Sequence, residues 1–182
     1  WKNGAPIAVP AHIEGTPVGD LHVFCTHLTA NLTDVPYAGD ADSWEDEQAT
    51  QIDELLKWVD KKAGDSPRII LLGDFNTGPE LGDITSELPK NYKKFEKAGL
   101  DDFYTTQDDV TCSFCTENPL ISDEQEGAGP LIDHVLLKGE GLTGKGAQFM
   151  RTPIDITFED EPVTTAYSDH YGVSAQLTAV EE

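Results

Sequence analysis

The sequence predicts a mixed α/β fold in a single domain. Short apolar runs of strand length recur along the chain, and one longer segment carries apolar residues at helical spacing. A chain of 182 residues, of which 38% are hydrophobic, can bury one sizeable core. Polar residues follow or abut several of the apolar runs, which indicates that the functional residues lie at strand ends.

The first elements are predicted to form a β-hairpin. Residues 7–13 and 21–25 are strand-like, and the turn between them at 15–20 is rich in glycine and contains a proline. Residues 29–42 have no clear period and are expected to form a loop.

A helix is predicted next. Ser43 is suited to be its N-cap because Asp46 follows three residues later, as in a capping box. The helix is expected to run to about Lys62, since Gly64 and Pro67 then stop it. The spacing of the sequence predicts that its inner face consists of Gln48, Ile52, Leu55, Leu56 and Val59.

The second half of the chain alternates strands with loops. The continuous apolar run at 68–72 predicts a strand buried on both faces, and Tyr92, Phe95 and Ala98 predict a short helix that ends at Gly99. The remaining expectations are a long irregular loop at 105–130, a strand at 131–137, a loop at 139–165 with a weak strand at 154–158, and a last strand at 171–177.

The charge of the chain is strongly negative. Thirty-four acidic residues against twelve basic ones give a formal charge of −22. Nucleic-acid binders usually show a basic face, and the only Lys/Arg clusters here are Lys61-Lys62 and Lys93-Lys94, both expected on solvated helix surfaces. The acidity favours solubility in a salty or extracellular setting. Repulsion of polyanions, which a bound metal could overcome locally, is the functional alternative.

The sequence leaves the compartment open, with a secreted or extracytoplasmic location favoured. No run of 18 apolar residues predicts a membrane span. No secretory signal is visible at Trp1, but a mature product would look the same.

The three cysteines are expected to be structural. Cys25 alternates with Leu21 and Val23, which predicts a core thiol. Cys112 and Cys115 lie in a loop, where a local disulfide or two free thiols are expected; a zinc site would need two more ligands nearby.

A glycine-rich segment at 139–146 imitates a nucleotide-binding motif. It matches G-x-G-x-x-G and nearly matches a P-loop, but Gly146 stands where the P-loop needs Ser or Thr. The residues after it start a helix poorly, whereas both motifs need a helix N-terminus aimed at phosphate. The segment is therefore predicted to be a glycine-rich turn.

Four short polar motifs at strand ends contain the candidate functional residues. Two carboxylates, Asp74 and Asp169, suit water activation and a hard divalent metal respectively. The imidazoles of His27 and His170 suit phosphate contact or proton transfer. The motifs are Thr26-His27-Leu28, Gly73-Asp74-Phe75-Asn76, Ile132-Asp133-His134 and Ser168-Asp169-His170.

Two further side chains complete this inventory. The amide of Asn76 can donate to the charge that grows on phosphoryl oxygens. Asp133 can hold a histidine in the right tautomer and orientation. His134 follows Asp133 on the same strand and is expected to point the other way, in a structural role.

These motifs resemble the signatures of the endonuclease/exonuclease/phosphatase (DNase I-like) superfamily. The most specific parts are Leu72-Gly73-Asp74-Phe75-Asn76 and Ser168-Asp169-His170-Tyr171, and the similarity runs in the family's order from about residue 4 to 178. The resemblance implies a four-layer α/β/β/α sandwich, a Mg²⁺ (or Mn²⁺) site and phosphoester hydrolysis.

The resemblance also implies a role for each candidate residue. Asp74 would orient or activate the nucleophilic water, Asn76 would hold the phosphoryl oxygens, and Asp169 would help to bind the metal. His27 would contact the phosphate on the leaving-group side. His170 would contact the phosphate and transfer a proton, and Asp133 would orient a catalytic histidine.

One departure from the family's pattern matters. The early asparagine and the metal-binding glutamate of the family's first half have no counterpart in this sequence. Residues 1–182 are therefore expected to be the C-terminal portion of one such domain. The chain alone is expected to bind Mg²⁺ poorly and to turn over nothing, and to need a partner fragment or self-association to cover its exposed core.

The resemblance is strongest to the sphingomyelinase-type branch, through Thr111-Cys112 and Asn118 and through Thr26-His27-Leu28 with the helix that contains Gln51. A lipid-headgroup or small-molecule phosphodiester is therefore the favoured substrate class. A DNase I-like nuclease, an inositol-phosphate phosphatase and an inert binding module of the same fold are the alternatives.

Overall fold

The computed structural model of the chain describes residues 7–66, 68–121 and 127–180. Nine strands and two helices form in those ranges. In chain order they are β1 (Ile7–Thr16), β2 (Gly19–His27), α1 (Trp44–Ala63), β3 (Arg68–Asp74), α2 (Pro89–Lys97), β4 (Asp101–Asp102), β5 (Asp133–Gly139), β6 (Leu142–Phe149), β7 (Ile154–Phe158), β8 (Glu161–Thr165) and β9 (Gly172–Ala179). Neither helix is long and apolar enough to cross a membrane.

A five-stranded sheet forms the centre of the fold, in the order β1-β2-β3-β5-β4. The predicted hairpin is confirmed, because β1 and β2 pair antiparallel. β2 and β3 run parallel, and α1 makes the crossover between them. The apolar run of β3 lies between β2 and β5, which explains why Ile69, Ile70 and Leu71 are all buried.

Helices α1 and α2 cover one face of this sheet. The predicted start of α1 is confirmed, because the Ser43 side chain accepts a hydrogen bond from the Asp46 backbone N–H. Gly64 ends the helix with φ 58°, in the left-handed region that favours glycine. Ile52 and Leu55 are fully buried against the sheet, and Phe95 of α2 joins the same core. The predicted short helix before Gly99 is therefore also confirmed.

The other face of the sheet is covered by the antiparallel pair β6-β9. Leu142 and Leu177 of this pair pack against Leu21 and Ile70 of the central sheet. The described layers are thus two helices, a five-stranded sheet and a second, two-stranded sheet.

The prediction that Cys25 is a core thiol is wrong, since Cys25 is exposed and free. The side chains of β2 alternate between the two faces of the sheet. The helix-covered face buries Phe24 and Thr26, whereas the opposite face, which carries Cys25, is covered by β6 and β9 only farther along the strand at Leu21.

The expected loop at 139–165 is also wrong in large part. Residues 142–149 form β6, and β7 pairs with a further strand, β8, in a hairpin. The glycines of β6 hid its strand character, but they have a packing reason. A Cβ on Gly144 would overlap the Phe103 ring, and a Cβ on Gly146 would lie 2.5 Å from Tyr104 Cα. The glycine-rich turn predicted at 139–146 is therefore confirmed only at Glu140 and Gly141, which join β5 to β6, and the rest of the segment is a close-packed strand.

The long loop before β5 contains a local disulfide between Cys112 and Cys115. This is one of the two alternatives that the sequence left open. Both cysteines are buried, and they form a small apolar cluster with Tyr171, the residue just before β9. The strand predicted at 131–137 begins two residues later than expected, at Asp133.

The close packing of β6 leads to a stability prediction. Gly146→Ala places a methyl group against the backbone of Tyr104, which cannot move as a side-chain tip can. We expect a loss of about 1–3 kcal/mol in the free energy of unfolding, measured by urea denaturation. Lys145→Ala, at an exposed position on the same strand, should change it by less than about 0.5 kcal/mol. Equal effects of the two variants would contradict the packing argument.

Candidate functional site

The register of the central sheet brings three predicted site residues to one edge. His27 is the partner of Asp74 in the parallel β2/β3 pair, and Asp74 is the partner of Asp133 in the antiparallel β3/β5 pair. The end of β2, the end of β3 and the start of β5 therefore lie side by side. The loop that precedes β9 delivers His170 to the same place.

The closest polar contact in the group joins His170 and Asp133. The imidazole Nδ1–H of His170 donates to Oδ2 of Asp133 at 2.7 Å. Both side chains are partly accessible, with 26% of the His170 side chain and 21% of that of Asp133 exposed. This hydrogen bond is the main reason why the pKa of His170 is raised above 6.5, and the charges of Asp133, Asp74 and Asp169 add to the increase.

Asp74 lies between the two histidines. Its Oδ2 is 3.2 Å from Nε2 of His27, and its Oδ1 accepts the backbone N–H of Asn76 at 2.8 Å. Burial raises the pKa of the Asp74 carboxyl, and the nearby charge of Asp133 raises it further. A carboxylate whose pKa is raised holds a proton more strongly, which suits it to accept one from water.

Asn76 is held in an unusual backbone conformation, with φ 46° in the left-handed region. Its side-chain amide donates to the backbone oxygen of Leu28 at 2.9 Å and to Oδ2 of Asp74 at 3.3 Å. The amide therefore adjoins the predicted site, and it links the end of β3 to the end of β2.

Sequence reasoning missed the polar role of Gln48. This fully buried side chain of α1 donates through Nε2 to the backbone oxygens of Asn76 and Thr29, both at 2.8 Å. Asn91 of α2 in turn donates to Oε1 of Gln48 at 3.1 Å. The signal was present, because a glutamine on the apolar face of a helix needs hydrogen-bond partners in the interior.

Asp169 lies beside the group rather than within it. Its carboxylate is exposed and accepts a hydrogen bond from the Ser168 hydroxyl at 3.2 Å. Its negative charge nevertheless contributes to the raised pKa of His170. The exposed carboxylate thus adds negative charge next to the site without lining the cavity.

Three side chains offer a set of atoms that could hold a metal ion. The ligand atoms of Asp74, Asp133 and His170 all lie within 4.8 Å of one another. Asp74 and Asp133 repel each other, and this repulsion adds to the effect of burial on the pKa of Asp74; a divalent cation would relieve it. Carboxylate oxygens are the ligands that Mg²⁺ prefers. The residues present therefore fit a hard divalent metal.

A cavity of about 350 Å³ opens next to these groups. The polar side chains of Asp74, Asp133 and His170 line one part of it. The rest of the wall is largely apolar and is formed by Leu72, Val135, Phe149, Met150 and Val173.

His134 points to the opposite face of the sheet, as the alternation along β5 predicts. Its Nδ1 is 2.7 Å from Asp102 Oδ2, and its Nε2 is 2.9 Å from the backbone oxygen of Thr77. The ring is buried between Phe75 and Tyr92. The structural role expected for His134 is confirmed.

Comparison with known proteins identifies the family. The sequence profile of the Endonuclease/Exonuclease/phosphatase family matches residues 4–170, and the chain belongs to this family. Comparison with curated protein sequences gives no match. The fold is that of the DNase I-like superfamily, which confirms the predicted fold class.

Three solved structures illustrate the similarity of fold. The mannosyl-6-phosphatase Bt3783 of Bacteroides thetaiotaomicron is 18% identical, with a TM-score of 0.63 over 98% of this chain and 59% of that one. The beta toxin of Staphylococcus aureus, in a mutant with bound magnesium ions, is 16% identical, with a TM-score of 0.61 over 96% and 57%. Sphingomyelinase C of Streptomyces griseocarneus is 17% identical, with a TM-score of 0.57 over 96% and 56%. The chain therefore spans a little over half the length of these proteins.

The charge of Asp133 predicts how substitutions should change the pKa values of His170 and Asp74. Asp133 raises the pKa of both His170 and Asp74, in the first case by attraction and in the second by repulsion. Asp133→Asn should therefore lower both pKa values, as followed by NMR titration. Asp169→Asn should lower the pKa of His170 only slightly, because the charge of Asp169 contributes less to the increase than Asp133 or Asp74 does.

The same variants should change the pH dependence of stability. The folded-state pKa of His170 lies above its unfolded value of about 6.5. Its contribution is therefore fully present below about pH 6.5 and is lost as pH rises through the folded-state pKa. Asp133→Asn should flatten this part of the stability profile, measured by thermal denaturation across pH. An unchanged profile would mean that Asp133 does not stabilise the imidazolium.

Proposed function

We propose that the protein is a metal-dependent phosphoester hydrolase, with Asp133 and His170 as its acid–base pair and Asp74 as the group that orients or activates the attacking water. One observation carries this proposal: the 2.7 Å hydrogen bond between His170 and Asp133, next to a carboxylate whose pKa is raised. Membership of the Endonuclease/Exonuclease/phosphatase family supports the class of reaction.

The proposed roles follow from the contacts of each side chain. Because Asp133 accepts the Nδ1–H of His170, the imidazolium form keeps its Nε2–H for a phosphoryl or leaving-group oxygen. His27, with 70% of its side chain exposed, contacts the phosphate on the leaving-group side. Asn76 donates its amide to the phosphoryl oxygens once substrate competes with Leu28 for it.

Asp74 and Asp133, whose ligand atoms lie within 4.8 Å of each other, would hold the metal, and Asp169 beside them would help to bind it. Mg²⁺ and Mn²⁺ are the ions that suit such oxygen ligands. When bound, the metal supplies positive charge that stabilises the phosphoryl oxygens and lowers the pKa of a bound water. The excess of negative charge around Asp74 and Asp133 supports a cation at this place.

The favoured substrate is a phosphodiester of a lipid headgroup or a small molecule. The formal charge of −22 opposes binding of a long polyanion such as DNA, whose affinity depends on Lys and Arg contacts to phosphates. The apolar wall beside the site, which includes Phe149 and Val173, supports a ligand with an apolar part.

We further propose that residues 1–182 act as the C-terminal portion of one domain, which the remaining portion or a second copy of the chain completes. In this proposal the chain alone binds Mg²⁺ weakly and has no measurable phosphoesterase activity. Calorimetry with Mg²⁺ and a phosphoesterase assay on the pure chain and on the longer gene product test it. Activity of the pure 182-residue chain would refute it.

The substrate class can be decided by direct comparison in the longer protein. Hydrolysis of choline-phosphodiester lipids, double-stranded DNA and inositol phosphates is measured side by side with Mg²⁺. Faster turnover of the lipid supports the proposal, and cleavage of DNA or inositol phosphate alone contradicts the substrate class. Failure to turn over any of them, together with failure to bind Mg²⁺, would favour an inert binding module.

Two substitutions test the acid–base assignment in the longer protein. His170→Ala and Asp74→Ala should each lower the hydrolysis rate by about 100-fold or more, because each removes a group that transfers or orients a proton. His12→Ala, which removes a partly exposed imidazole from β1 on the hairpin, is the matched control and should leave the rate unchanged. Rates near wild type for either site variant would remove that residue from the mechanism.

A further inference from the structure

A short loop contacts both of the chain segments that carry Asp133 and His170. This loop, residues 112–118, is closed at its start by the Cys112–Cys115 disulfide. Its residue Ser113 is fully buried. The hydroxyl oxygen of Ser113 accepts two backbone N–H groups, those of Ile132 and Asp133, each at 3.0 Å. One side chain thus fixes the backbone from which the Asp133 carboxylate projects.

The same loop also holds the segment of His170. The backbone oxygen of Ser113 accepts the N–H of Tyr171 at 2.8 Å. The side-chain amide of Asn118, which is buried, donates to the backbone oxygens of Ser168 and Asp169 at 2.9 and 3.1 Å. Five hydrogen bonds therefore join Ser113 and Asn118 to the two segments, two to the start of β5 and three to residues 168–171.

A ring contact adds to these hydrogen bonds. The centroid of the Phe114 ring lies 4.9 Å from that of the His170 imidazole, with the two planes tilted by 52°. Phe114 is the neighbour of Ser113 within the disulfide loop. The loop therefore limits both the position of the His170 backbone and the orientation of its ring.

This arrangement matters because Asp133 and His170 are 37 residues apart in sequence. Their hydrogen bond requires two separate segments, the start of β5 and the loop before β9, to stay at a fixed distance. A hydrogen bond weakens steeply once its distance or angle departs from the optimum. The 112–118 loop contacts both segments directly, and it does so with buried groups that solvent cannot replace.

We propose that Ser113 and Asn118 are positioning residues, which hold Asp133 and His170 in line for their hydrogen bond. The proposal rests on the proposed function for its catalytic consequence, but the alignment itself is a property of this chain. Ser113 acts through the backbone of Asp133, and Asn118 acts through the backbone that leads into His170. In this role neither side chain has to contact the substrate.

The first test observes the hydrogen bond directly in the 182-residue chain. The Nδ1–H proton of His170 gives an NMR signal whose position reports its bond to Asp133, and Asp133→Asn identifies it by removing the carboxylate. Ser113→Ala and Asn118→Ala should each move or broaden this signal. Ser174→Ala removes an exposed hydroxyl that donates to the Ala147 backbone oxygen, and as the matched control it should leave the signal in place.

The second test measures catalysis in the longer protein. Ser113→Ala should lower kcat by about 100-fold, the size of effect that a misplaced catalytic group produces, while KM changes much less. Ser113→Thr keeps the hydroxyl and should restore most of kcat. If Ser113→Ala does not fold, Asn118→Ala tests the proposal from the His170 side.

The outcomes separate this proposal from the one on function. If both variants only lower the melting temperature and leave the His170 signal unchanged, the residues are structural and the proposal is overturned. If the signal moves as expected but the wild-type longer protein hydrolyses no phosphoester, the alignment role stands and the proposed function fails. A kcat for Ser113→Ala equal to that of Ser174→Ala would also overturn the positioning role.

Discussion

The site depends above all on the register of β3 with its two neighbours. Asp74 is opposite His27 in one pair and opposite Asp133 in the other, so a single row across three strands supplies three of the candidate site residues. Side chains alternate between the faces of a sheet, so a slip of one residue would move a side chain to the other face. The buried core of β3 prevents such a slip, because Ile69 and Leu71 must face the helices while Ile70 faces β6 and β9.

This row creates an electrostatic conflict that the surrounding residues resolve. Asp74 and Asp133 are adjacent carboxylates, and burial together with their repulsion raises the pKa of Asp74. His170 and His27 act in the opposite direction, since their positive forms lower it. Each carboxylate has a histidine partner, at 3.2 Å for Asp74 and 2.7 Å for Asp133. The site is therefore suited to bind a proton or a cation. Removing one of these charged groups should change the protonation of the groups that remain.

Sequence reasoning predicted the elements whose signals are local and missed those that depend on packing. Ser43, Gly64 and the apolar spacing of α1 gave correct helix ends, because caps and periodicity act within a few residues. The strand β6 was missed because Gly144 and Gly146 signal a turn, whereas their reason is the approach of Phe103 and Tyr104 from elsewhere in the chain. The candidate residues were found as strand-end motifs. The supporting side chains of Gln48, Ser113 and Asn118 bond to backbone groups far away in sequence. Helical spacing placed Gln48 on the inner face of α1, but no spacing rule could reveal which backbone groups these three side chains contact.

Two aspartate–histidine pairs each include one residue of β5. Their comparison shows why the length of a hydrogen bond alone does not identify a catalytic group. Asp133–His170 and Asp102–His134 have the same nitrogen–oxygen distance, 2.7 Å. The second pair is almost completely buried, with side chains 1–2% exposed, and its other imidazole nitrogen is bonded to the Thr77 backbone oxygen. No atom of that ring can reach a substrate, so the pair fixes the chain just after Asn76 instead. The first pair keeps about a quarter of the imidazole accessible, beside a cavity and a second carboxylate. Access for a substrate, rather than the hydrogen bond itself, is what separates the proposed catalytic pair from the structural one.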